Sequence, residues 1–559
     1  MKWIGGVTLT LVAILGTGWI FRAELALFSV AQMRSAVVEI GPTVEIEWST
    51  GADSQGRAPA NRQPNIVLIV ADDMGWNDIS MNGPNSTAQT PNIDALAAEG
   101  VTFSQGYAAH ASCAPSRAAL MSGRYGTRFG FEFTPTPPGF EPVTGMLNAM
   151  MDRPLQPPAF TNPETDSLDS IEFAGLGMPP SEITLAELLA DQGYHTAHIG
   201  KWHLGEENGM APHDQGFAES LLMASGLYGR RDDKDIIQAR QAFDPIDRFL
   251  WEVTDFAASF NGGPWFEPPK YLTDYYTDEA VKVIEANKDR PLFLYLAHWA
   301  PHTPLQASRE DYEALSHIEL HRERVYAAMI RSLDRGVGQV MEALKANGLD
   351  ENTLVIFTSD NGGAGYIGLP NVNAPYRGWK STLFEGGIRV PFLARWPAGL
   401  AAGETYDAPV HHVDIYATAA AAAGADLPTD RIMDGVDLIP YVTGSTRMDS
   451  PHEYLFFRGG AAQAVRDKRW KLVVSAPPQS SRNQSPRKEW LFDLSAEGER
   501  VDLLAEHPEV ASRLRGELEA HNQAQAEPLW PWITTKATNI DRDLSQKDQP
   551  EDEFTYMSN

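Results

Sequence analysis

Four continuous apolar runs, each followed directly by polar residues, form the most regular pattern in the chain. Aliphatic and β-branched residues without alternation are typical of strands buried on both faces of a parallel sheet. The four predicted strands cover residues 65–71, 194–199, 292–297 and 353–359. The polar residues that follow them are, in order, Asp72-Asp73, Gly200-Lys201-Trp202-His203, His298 and Asp360-Asn361-Gly362-Gly363.

Segments with helical periodicity separate these runs. We predict helices at 90–99, 184–192, 277–286 and 323–347. Strands that alternate with helices indicate an α/β domain with a large, mostly parallel sheet between helices. Ligands bind such sheets outside the carboxyl ends of the strands, so we expect the four polar clusters to converge on one crevice.

The pattern changes after residue 449. Short strand-like segments at 455–457, 464–466, 470–474 and 490–493 precede a predicted helix at 508–521. They predict a smaller C-terminal α+β subdomain built on an antiparallel sheet. The last segment, 527–559, is polar and acidic with too few periodic apolar residues to predict an element.

The length of 559 residues suits one large domain and a smaller companion. We predict a signal peptide or membrane anchor at 1–31, a linker at 32–63, the large domain at 64–445, the C-terminal subdomain at 446–525 and an acidic tail at 526–559. Two segments interrupt the α/β pattern, at 132–180 and 223–270. They are either surface loops or segments that shape the substrate-binding site, and the sequence leaves both interpretations open.

The N-terminus carries an apolar segment at 3–21 without charges between Lys2 and Arg22. At ~1.5 Å per helical residue, this segment is about long enough to cross a bilayer. Trp3 and Trp19 are placed like interface aromatics, which favours a retained anchor, whereas the sequence at 29–31 also fits a cleavage site. In either case we expect an exported protein that is periplasmic, extracellular or anchored with its domains facing outward.

The formal net charge of −29 excludes nucleic acid as a main partner, because binding to phosphates requires basic surface. The same charge disfavours long polyanions as substrates unless the fold provides a local basic patch.

Cys113 is the only cysteine of the chain. A lone cysteine is a buried small hydrophobe, a reactive thiol or the substrate of a modification. Pro115 suits the first turn of a helix, which would place Cys113 at the N-terminal end, where N–H groups favour anions. Arg117 adds a positive charge about one turn further along.

The run Cys113-Ala114-Pro115-Ser116-Arg117, with Ser122-Gly123-Arg124 closing the helix, resembles the first signature of the type I sulfatases. Residues 193–204, which contain Lys201 and His203, are similar to the second signature. The resemblance extends over about 65–520. It implies an alkaline phosphatase-like fold and hydrolysis of a sulfate ester. It also implies that a formylglycine-generating maturation enzyme oxidises Cys113 to formylglycine, whose hydrate is the nucleophile.

Asp72, Asp73, Asp360 and Asn361 offer hard oxygen donors of the kind that Ca²⁺ and Mg²⁺ prefer. An Asp-Asp pair alone is also a common turn or helix cap. The resemblance implies one divalent cation at these positions, most commonly Ca²⁺ with Mg²⁺ as the alternative, in contact with residue 113 as well.

The resemblance also implies roles for further residues. Arg117, Lys201 and Lys380 would meet the sulfuryl oxygens, and His298 would protonate the leaving oxygen. His203 would then remove the proton from the second hydroxyl of the hydrate, so that sulfate is expelled and the aldehyde re-forms. For His302, a site role and loop packing stay open, and for His198, His411, His412 and Asp414 we expect structural roles. Two other functions remain: a phosphonate monoester or phosphodiester hydrolase of the same superfamily, and an anchored binding protein without turnover.

Overall fold

The computed structural model of the chain describes residues 27, 39–53, 55–57, 61–83, 88–136, 140–151, 153–162, 175–224, 226–444, 450–479, 485–496 and 498–559. The apolar segment at 3–21 and the cleavage-site sequence at 29–31, both predicted above, lie outside these residues. Within the described ranges, no helix is both long enough and apolar enough to cross a membrane.

Twenty strands form the sheets of the described chain. They are β1 (Asn65–Ala71), β2 (Val101–Phe103), β3 (Gly106–Tyr107), β4 (Phe160–Thr161), β5 (His195–Gly200), β6 (Glu219–Met223), β7 (Ile236–Ala239), β8 (Ala258–Phe260), β9 (Leu292–Ala297), β10 (Leu305–Ser308), β11 (Thr353–Ser359), β12 (Phe392–Arg395), β13 (Glu404–Tyr406), β14 (Val410–His411), β15 (Leu455–Gly459), β16 (Ala462–Arg466), β17 (Trp470–Ser475), β18 (Lys488–Asp493), β19 (Thr534–Asn539) and β20 (Phe554–Ser558).

Twelve α-helices accompany the strands in the described residues. They are α1 (Pro91–Ala98), α2 (Cys113–Ser122), α3 (Phe140–Ala149), α4 (Leu185–Asp191), α5 (Pro245–Val253), α6 (Leu272–Ala286), α7 (Arg309–Ala314), α8 (His321–Ala346), α9 (Glu385–Ile388), α10 (Val413–Ala423), α11 (Ile439–Thr443) and α12 (Pro508–Gln523).

The main sheet has nine strands in the order β13-β2-β12-β11-β1-β9-β5-β6-β8. Its five central strands, from β11 to β6, run parallel. The four strands predicted from the apolar runs are β1, β5, β9 and β11, and they are adjacent. Ala71 pairs with Ser359, and Gly200 pairs with Ala297, so these strands end at one edge of the sheet. The predicted fold class is confirmed.

Helices cover both faces of this sheet, as the continuous apolar runs predict. On β1, Val67 and Ile69 belong to the core shared with α1, α6 and α8. Ile66, Leu68 and Val70 belong to the core shared with α2, α4 and α10 on the opposite face. Side chains alternate along a strand, so a strand buried on both faces needs apolar residues at every position.

The C-terminal subdomain is a four-stranded antiparallel sheet in the order β15-β16-β17-β18. Leu514 and Leu518 of α12 pack on one face, against Leu472 of β17. The other face packs on the large domain, where Phe457 and Phe384 share a core. The predicted subdomain architecture is confirmed.

The segment after residue 526 differs from the expectation of a tail without elements. It forms β19 and β20, which pair with each other, and β19 also pairs with β4 of the first interrupting segment. Short strands are stabilised by partners distant in sequence, which a local apolar pattern does not reveal.

Part of the predicted linker is packed rather than extended away from the domain. Ile46 and Trp48 are buried in the core of the large domain, and the Trp48 Nε1 donates a hydrogen bond of 2.7 Å to Glu279. Burial of these two apolar side chains explains why the described residues 39–53 lie on the domain.

Candidate active site

The two predicted pairs of oxygen donors meet at the aligned ends of β1 and β11. The Asp73 N–H donates to the Oδ1 of Asp360 over 3.2 Å, and the Asn361 side-chain amide donates to the Oδ1 of Asp73 over 2.8 Å. Asp72, Asp73, Asp360 and Asn361 are all buried. The sheet register therefore brings together the side chains that the sequence predicts as metal ligands.

Cys113 is the first residue of α2, and its side chain points to the same place. Its Sγ lies 3.5 Å from the Oδ1 of Asp72 and 3.8 Å from the Oδ1 of Asp73. Burial, with the Asp360 carboxylate as a further cause, raises the pKa of the thiol far above its ordinary value. The thiol is therefore neutral here, and a neutral thiol is a poor nucleophile.

Three cationic side chains pair with the three carboxylates of the site. The ion pairs are Arg117 with Asp360 at 2.8 Å, Lys201 with Asp72 at 2.6 Å and Lys380 with Asp73 at 2.7 Å. Arg117 also reaches Asp72 over 3.2 Å. Its side chain is completely buried behind the carboxylates. Arg117 therefore holds the carboxylates in place and does not face the cavity.

The carboxylates differ in pKa because they share the positive charges unequally. Burial raises the pKa of Asp72 to about 6, and the neighbouring Asp360 carboxylate adds to this effect. Burial alone would also raise the pKa of Asp73, but Lys380 and His302 outweigh it and hold that pKa below its usual range. Each carboxylate thus has a cation beside it, and the pKa of each depends on how far these cations outweigh burial.

The residues present fit a hard divalent cation. Potential ligand atoms of Asp72, Asp73, Cys113 and His302 lie within 4.8 Å of one another. The Oδ1 of Asn361 is buried and has no hydrogen-bond partner in the described chain. An unpaired buried carbonyl oxygen costs roughly 1–3 kcal/mol, and a bound cation would satisfy it. Oxygen donors dominate the set, which suits Ca²⁺ or Mg²⁺.

His302 belongs to this group of residues. Its Nε2 lies 3.4 Å from the Oδ2 of Asp73 and 3.3 Å from the Nζ of Lys380. Its ring stacks on Trp299 with a centroid distance of 3.9 Å. The structure thus supports a site role over loop packing for His302. No local sequence pattern separates His302 from His298, because the path of the loop places its ring beside Asp73.

His298 lies apart from these contacts. It follows β9, its backbone N–H donates to Val70, and its ring is completely buried. Neither ring nitrogen has a hydrogen-bond partner among the described residues, and burial lowers the pKa of the ring to about 3. His298 does not line the cavity described below. The structure therefore does not place it where a leaving group could be protonated.

His203 lines the cavity and has a strained backbone. Its φ is 65°, and Asp73 and Ser381 have φ values of 60° and 65°. These are three of the five non-glycine residues with positive φ in the described chain, and strain of this kind accumulates at functional sites. The Nδ1 of His203 is buried without a partner, and burial together with Lys201 lowers the pKa of the ring well below its ordinary value.

Backbone contacts on two sides position the loop that carries Lys380. The Lys380 N–H donates to Gly363, just after the Asp360-Asn361 pair, and the Ser381 N–H donates to Ala111, just before Cys113. At Gly362, just after Asp360 and Asn361, a Cβ would lie 1.9 Å from the carbonyl oxygen of Gly386 on α9. The two backbones are therefore in direct contact here. Lys380 is therefore fixed between the Asp360-Asn361 pair and the cysteine.

Two further residues, Tyr366 and Trp299, belong to the site although the sequence did not predict them. The Tyr366 hydroxyl donates to the Oδ2 of Asp73 over 2.8 Å. The Trp299 ring lies under the Nζ of Lys201 at 4.7 Å and also stacks on His302. Neither residue belongs to a sequence pattern that marks chemistry.

The site opens into a cavity of about 410 Å³. Its floor contains Cys113, Lys201, His203, His302 and Lys380. Its walls come from both interrupting segments, through α3 and α5, and from β19 and β20. Both segments therefore lie at the entrance of the site, which supports a role in shaping the substrate-binding site.

The remaining histidines predicted as structural lie in the core. His198 packs against Trp202 and Tyr295. The Asp414 carboxylate accepts hydrogen bonds from the His411 N–H and from His452. His412 is completely buried.

Comparison with known proteins agrees with this geometry. A family model described as Sulfatase matches residues 64–425. N-acetylgalactosamine-6-sulfatase of Mus musculus is 36% identical over 73% of this chain and 71% of its own length. Steryl-sulfatase of Mus musculus is 33% identical over 76% of this chain and 73% of its own length.

Solved structures show the same relationship. Ps i-CgsB in complex with k-i-k-neocarrahexaose is 30% identical, with a TM-score of 0.66 over 84% of this chain and 95% of its own. The phosphonate monoester hydrolase SpPMH from Silicibacter pomeroyi, at 18% identity, shares the fold with a TM-score of 0.58. The family model and the sulfatase relatives together show that the chain belongs to the sulfatases, the sulfuric ester hydrolases of the alkaline phosphatase superfamily.

Proposed function

We propose that the protein hydrolyses a sulfate ester to an alcohol and inorganic sulfate after Cys113 has been converted to formylglycine. The observation that carries this proposal is the position of Cys113, a neutral buried thiol between Asp72, Asp73 and the Lys380 ammonium. As a thiol it is inactivated by its surroundings. An aldehyde hydrate at the same place would offer a hydroxyl group to a sulfur atom bound above it.

Asp72, Asp73, Asp360 and Asn361 would hold one divalent cation, with residue 113 in contact with it. Ca²⁺ fits these oxygen donors best, and Mg²⁺ is the alternative. When bound, the cation supplies positive charge that polarises the sulfuryl oxygens and makes the attacking hydroxyl more acidic.

The two lysines of the cavity floor bind the sulfuryl group. Lys201 and Lys380 both line the cavity, and each is held by a carboxylate behind it. Ammonium groups fixed in advance stabilise the negative charge that develops on the sulfuryl oxygens. Arg117 orients Asp72 and Asp360 in this scheme and does not touch the substrate.

Two histidines move the protons. The His302 ring is neutral at rest, because burial lowers its pKa to about 3. The Lys380 ammonium, 3.3 Å from its Nε2, supplies the proton that this nitrogen passes to the departing alcohol oxygen. His203, on the same cavity floor, accepts the proton of the second hydroxyl of the hydrate, so that the sulfated residue 113 expels inorganic sulfate and returns to the aldehyde. We assign His298 no catalytic step.

The proposal includes export and maturation. The N-terminal segment would direct the chain out of the cytoplasm, as an anchor or a cleaved signal. A formylglycine-generating enzyme would act on the 113–117 motif. The natural partners would then be a sulfate ester and this maturation enzyme, with no nucleic acid.

The test combines a mass measurement with product release. The chain is produced together with a formylglycine-generating enzyme, and the mass of the peptide containing residue 113 is determined. Release of sulfate and of phosphonate is then measured from matched 4-nitrophenyl esters, with Cys113→Ala as the control. An aldehyde at 113 with dominant sulfate release supports the proposal. Dominant phosphonate release favours the alternative hydrolase, and an intact thiol overturns the mechanism.

A further inference from the structure

The charged side chains that line the cavity are mostly cationic, in contrast to the acidic composition of the whole chain. The protein carries a formal net charge of −29, yet five cationic side chains line the cavity against two acidic side chains, Glu206 and Asp244. Burial beside Asp247 raises the pKa of Asp244 well above its ordinary value, which favours its neutral form. Two of the five cations, Lys201 and Lys380, serve the reacting sulfate. The other three are Arg153, Lys536 and Arg542.

These three cations belong to one contiguous wall. The first interrupting segment is joined to β19 by the side-chain amide of Gln156, which donates to the Ala537 carbonyl over 3.2 Å. Arg153 donates to the Gln546 carbonyl, four residues after Arg542, over 3.3 Å. Lys536 lies on β19 itself, with its Nζ 5.5 Å from the centroid of the Phe140 ring. The wall is thus built from parts of the chain that are distant in sequence.

Buried carboxylates hold the two guanidinium groups from outside the cavity. The Nε of Arg542 lies 2.9 Å from Asp552, and Arg153 lies 3.3 Å from Asp548. The two carboxylates are only 1% and 3% exposed and do not line the cavity. The Arg542 side chain is 31% exposed. Its Nη2 lies 3.5 Å from Glu551, and its Nη1 makes no hydrogen bond to a described residue. The guanidinium is therefore oriented from behind while N–H groups remain for a ligand.

We propose that Arg153, Lys536 and Arg542 form a subsite for a second anionic group, a sulfate or a carboxylate, on the alcohol part of the substrate. This inference rests on the proposed sulfatase function. Guanidinium groups bind planar and tetrahedral oxyanions through paired hydrogen bonds, and an ammonium adds a point charge. The substrate is then an alcohol with at least two anionic groups, such as a multiply sulfated oligosaccharide. The wall is the local basic patch that an acidic protein needs for such a substrate.

Binding to a variant without turnover tests the subsite. In the Cys113→Ala background, with calcium present, calorimetry compares a disaccharide sulfated on one 6-hydroxyl with the same disaccharide carrying a second sulfate on its other sugar. We expect the second sulfate to raise the affinity about tenfold, the scale of one charged hydrogen-bonded contact. Lys536→Met and Arg542→Gln should each remove most of this gain, and Lys536→Arg should keep it. Lys282→Met, an exposed lysine on α6, is the matched control.

Equal affinity for the two disaccharides overturns the subsite, as does an equal loss for both ligands in Lys536→Met. If Lys536→Met lowers the melting temperature strongly, the affinities for the two disaccharides are compared in Arg542→Gln and Arg153→Gln instead. The proposed function is tested separately, by measuring sulfate release from the matured protein without the Cys113→Ala substitution. If the protein releases sulfate but binds the monosulfated and the disulfated disaccharide equally well, the subsite is overturned and the proposed function stands. If the disulfated disaccharide binds more tightly but no sulfate is released, the proposed function is overturned and the subsite stands.

Discussion

The Nζ of Lys380 lies 3.0 Å from the Sγ of Cys113, so one ammonium group touches the residue that we expect to become the nucleophile. The same Nζ lies 2.7 Å from the Oδ1 of Asp73, which fixes it from the other side. A cation held in this way is already in place when negative charge develops on the sulfuryl oxygens, and it requires no reorganisation.

Replacement of Lys380 by methionine should therefore lower kcat for an aryl sulfate by about 10²–10³-fold, the scale of losing one preorganised donor to the transition state. Steady-state kinetics of the matured protein measures this. Lys345→Met, on the exposed face of α8, is the matched control. An unchanged kcat in Lys380→Met would mean that the contact with residue 113 has no catalytic role.

The two histidines of the loop after β9 should respond differently to the leaving group. His302→Gln removes the proposed proton donor, so it should slow an alkyl sulfate about 10²-fold more than 4-nitrophenyl sulfate, whose phenolate departs without much help. His298→Gln should affect both esters by the same factor, because its ring nitrogens form no hydrogen bond to a described residue and the ring does not line the cavity. A leaving-group dependence confined to His298→Gln would reverse this assignment.

Asp360 should contribute to metal binding more than to the fold. Asp360→Asn keeps the shape of the side chain but removes a charge from the candidate cation site, so calcium bound after dialysis should fall well below one ion per chain. Elemental analysis measures the bound calcium, and Asp426→Asn, on the surface, is the control. Full calcium occupancy in Asp360→Asn would exclude this residue as a ligand.

Much of this fold could be predicted because burial on both faces of a parallel sheet leaves continuous apolar runs in the sequence. The runs at β1, β5, β9 and β11 end in polar residues, and the rule that ligands bind beyond the carboxyl ends of strands then brings these residues together. This rule alone was enough to predict that Asp72, Asp73 and Asp360 lie close together.

Other features depend on contacts that a local pattern does not carry. His298 and His302 share one loop, and only the path of that loop decides that the ring of His302 faces Asp73. β19 pairs with β4 across more than half of the chain, so its place in the cavity wall could not be read from its composition. The charge of the cavity is likewise a sum over distant segments, and the overall net charge conceals it.

Lys471 joins the C-terminal subdomain to the loop region that carries Lys380, and its loss should destabilise the protein. Its completely buried Nζ lies 2.9 Å from Glu385 and 2.7 Å from Glu499. Lys471→Met removes the cation from the buried Glu499, while Glu385 keeps its ion pair of 3.3 Å with Arg389. The buried charge left without a partner should lower the free energy of unfolding by about 3–5 kcal/mol. Chemical denaturation measures the change. Lys468→Met, an exposed lysine of the same subdomain, should stay within about 0.5 kcal/mol of the original chain, and equal values for both variants would contradict the prediction.

The ion pair between His452 and Asp414 should make stability depend on pH. Burial alone would lower the pKa of His452, but the Asp414 carboxylate, 2.7 Å away, outweighs burial and raises that pKa above 6.5. Asp434 adds to this effect, although it is itself paired with Arg128. A group whose pKa is higher in the folded state contributes stability below its unfolded pKa and loses it as the pH rises through the folded value.

His452→Asn should therefore cost about 1 kcal/mol more at pH 6 than at pH 9, since only the protonated ring makes the charged hydrogen bond. Denaturation at both pH values measures the difference, with His317→Asn, an exposed histidine, as the control. A cost that is equal at both pH values, or larger at pH 9, would show that His452 is neutral in the folded protein and holds Asp414 through its shape alone.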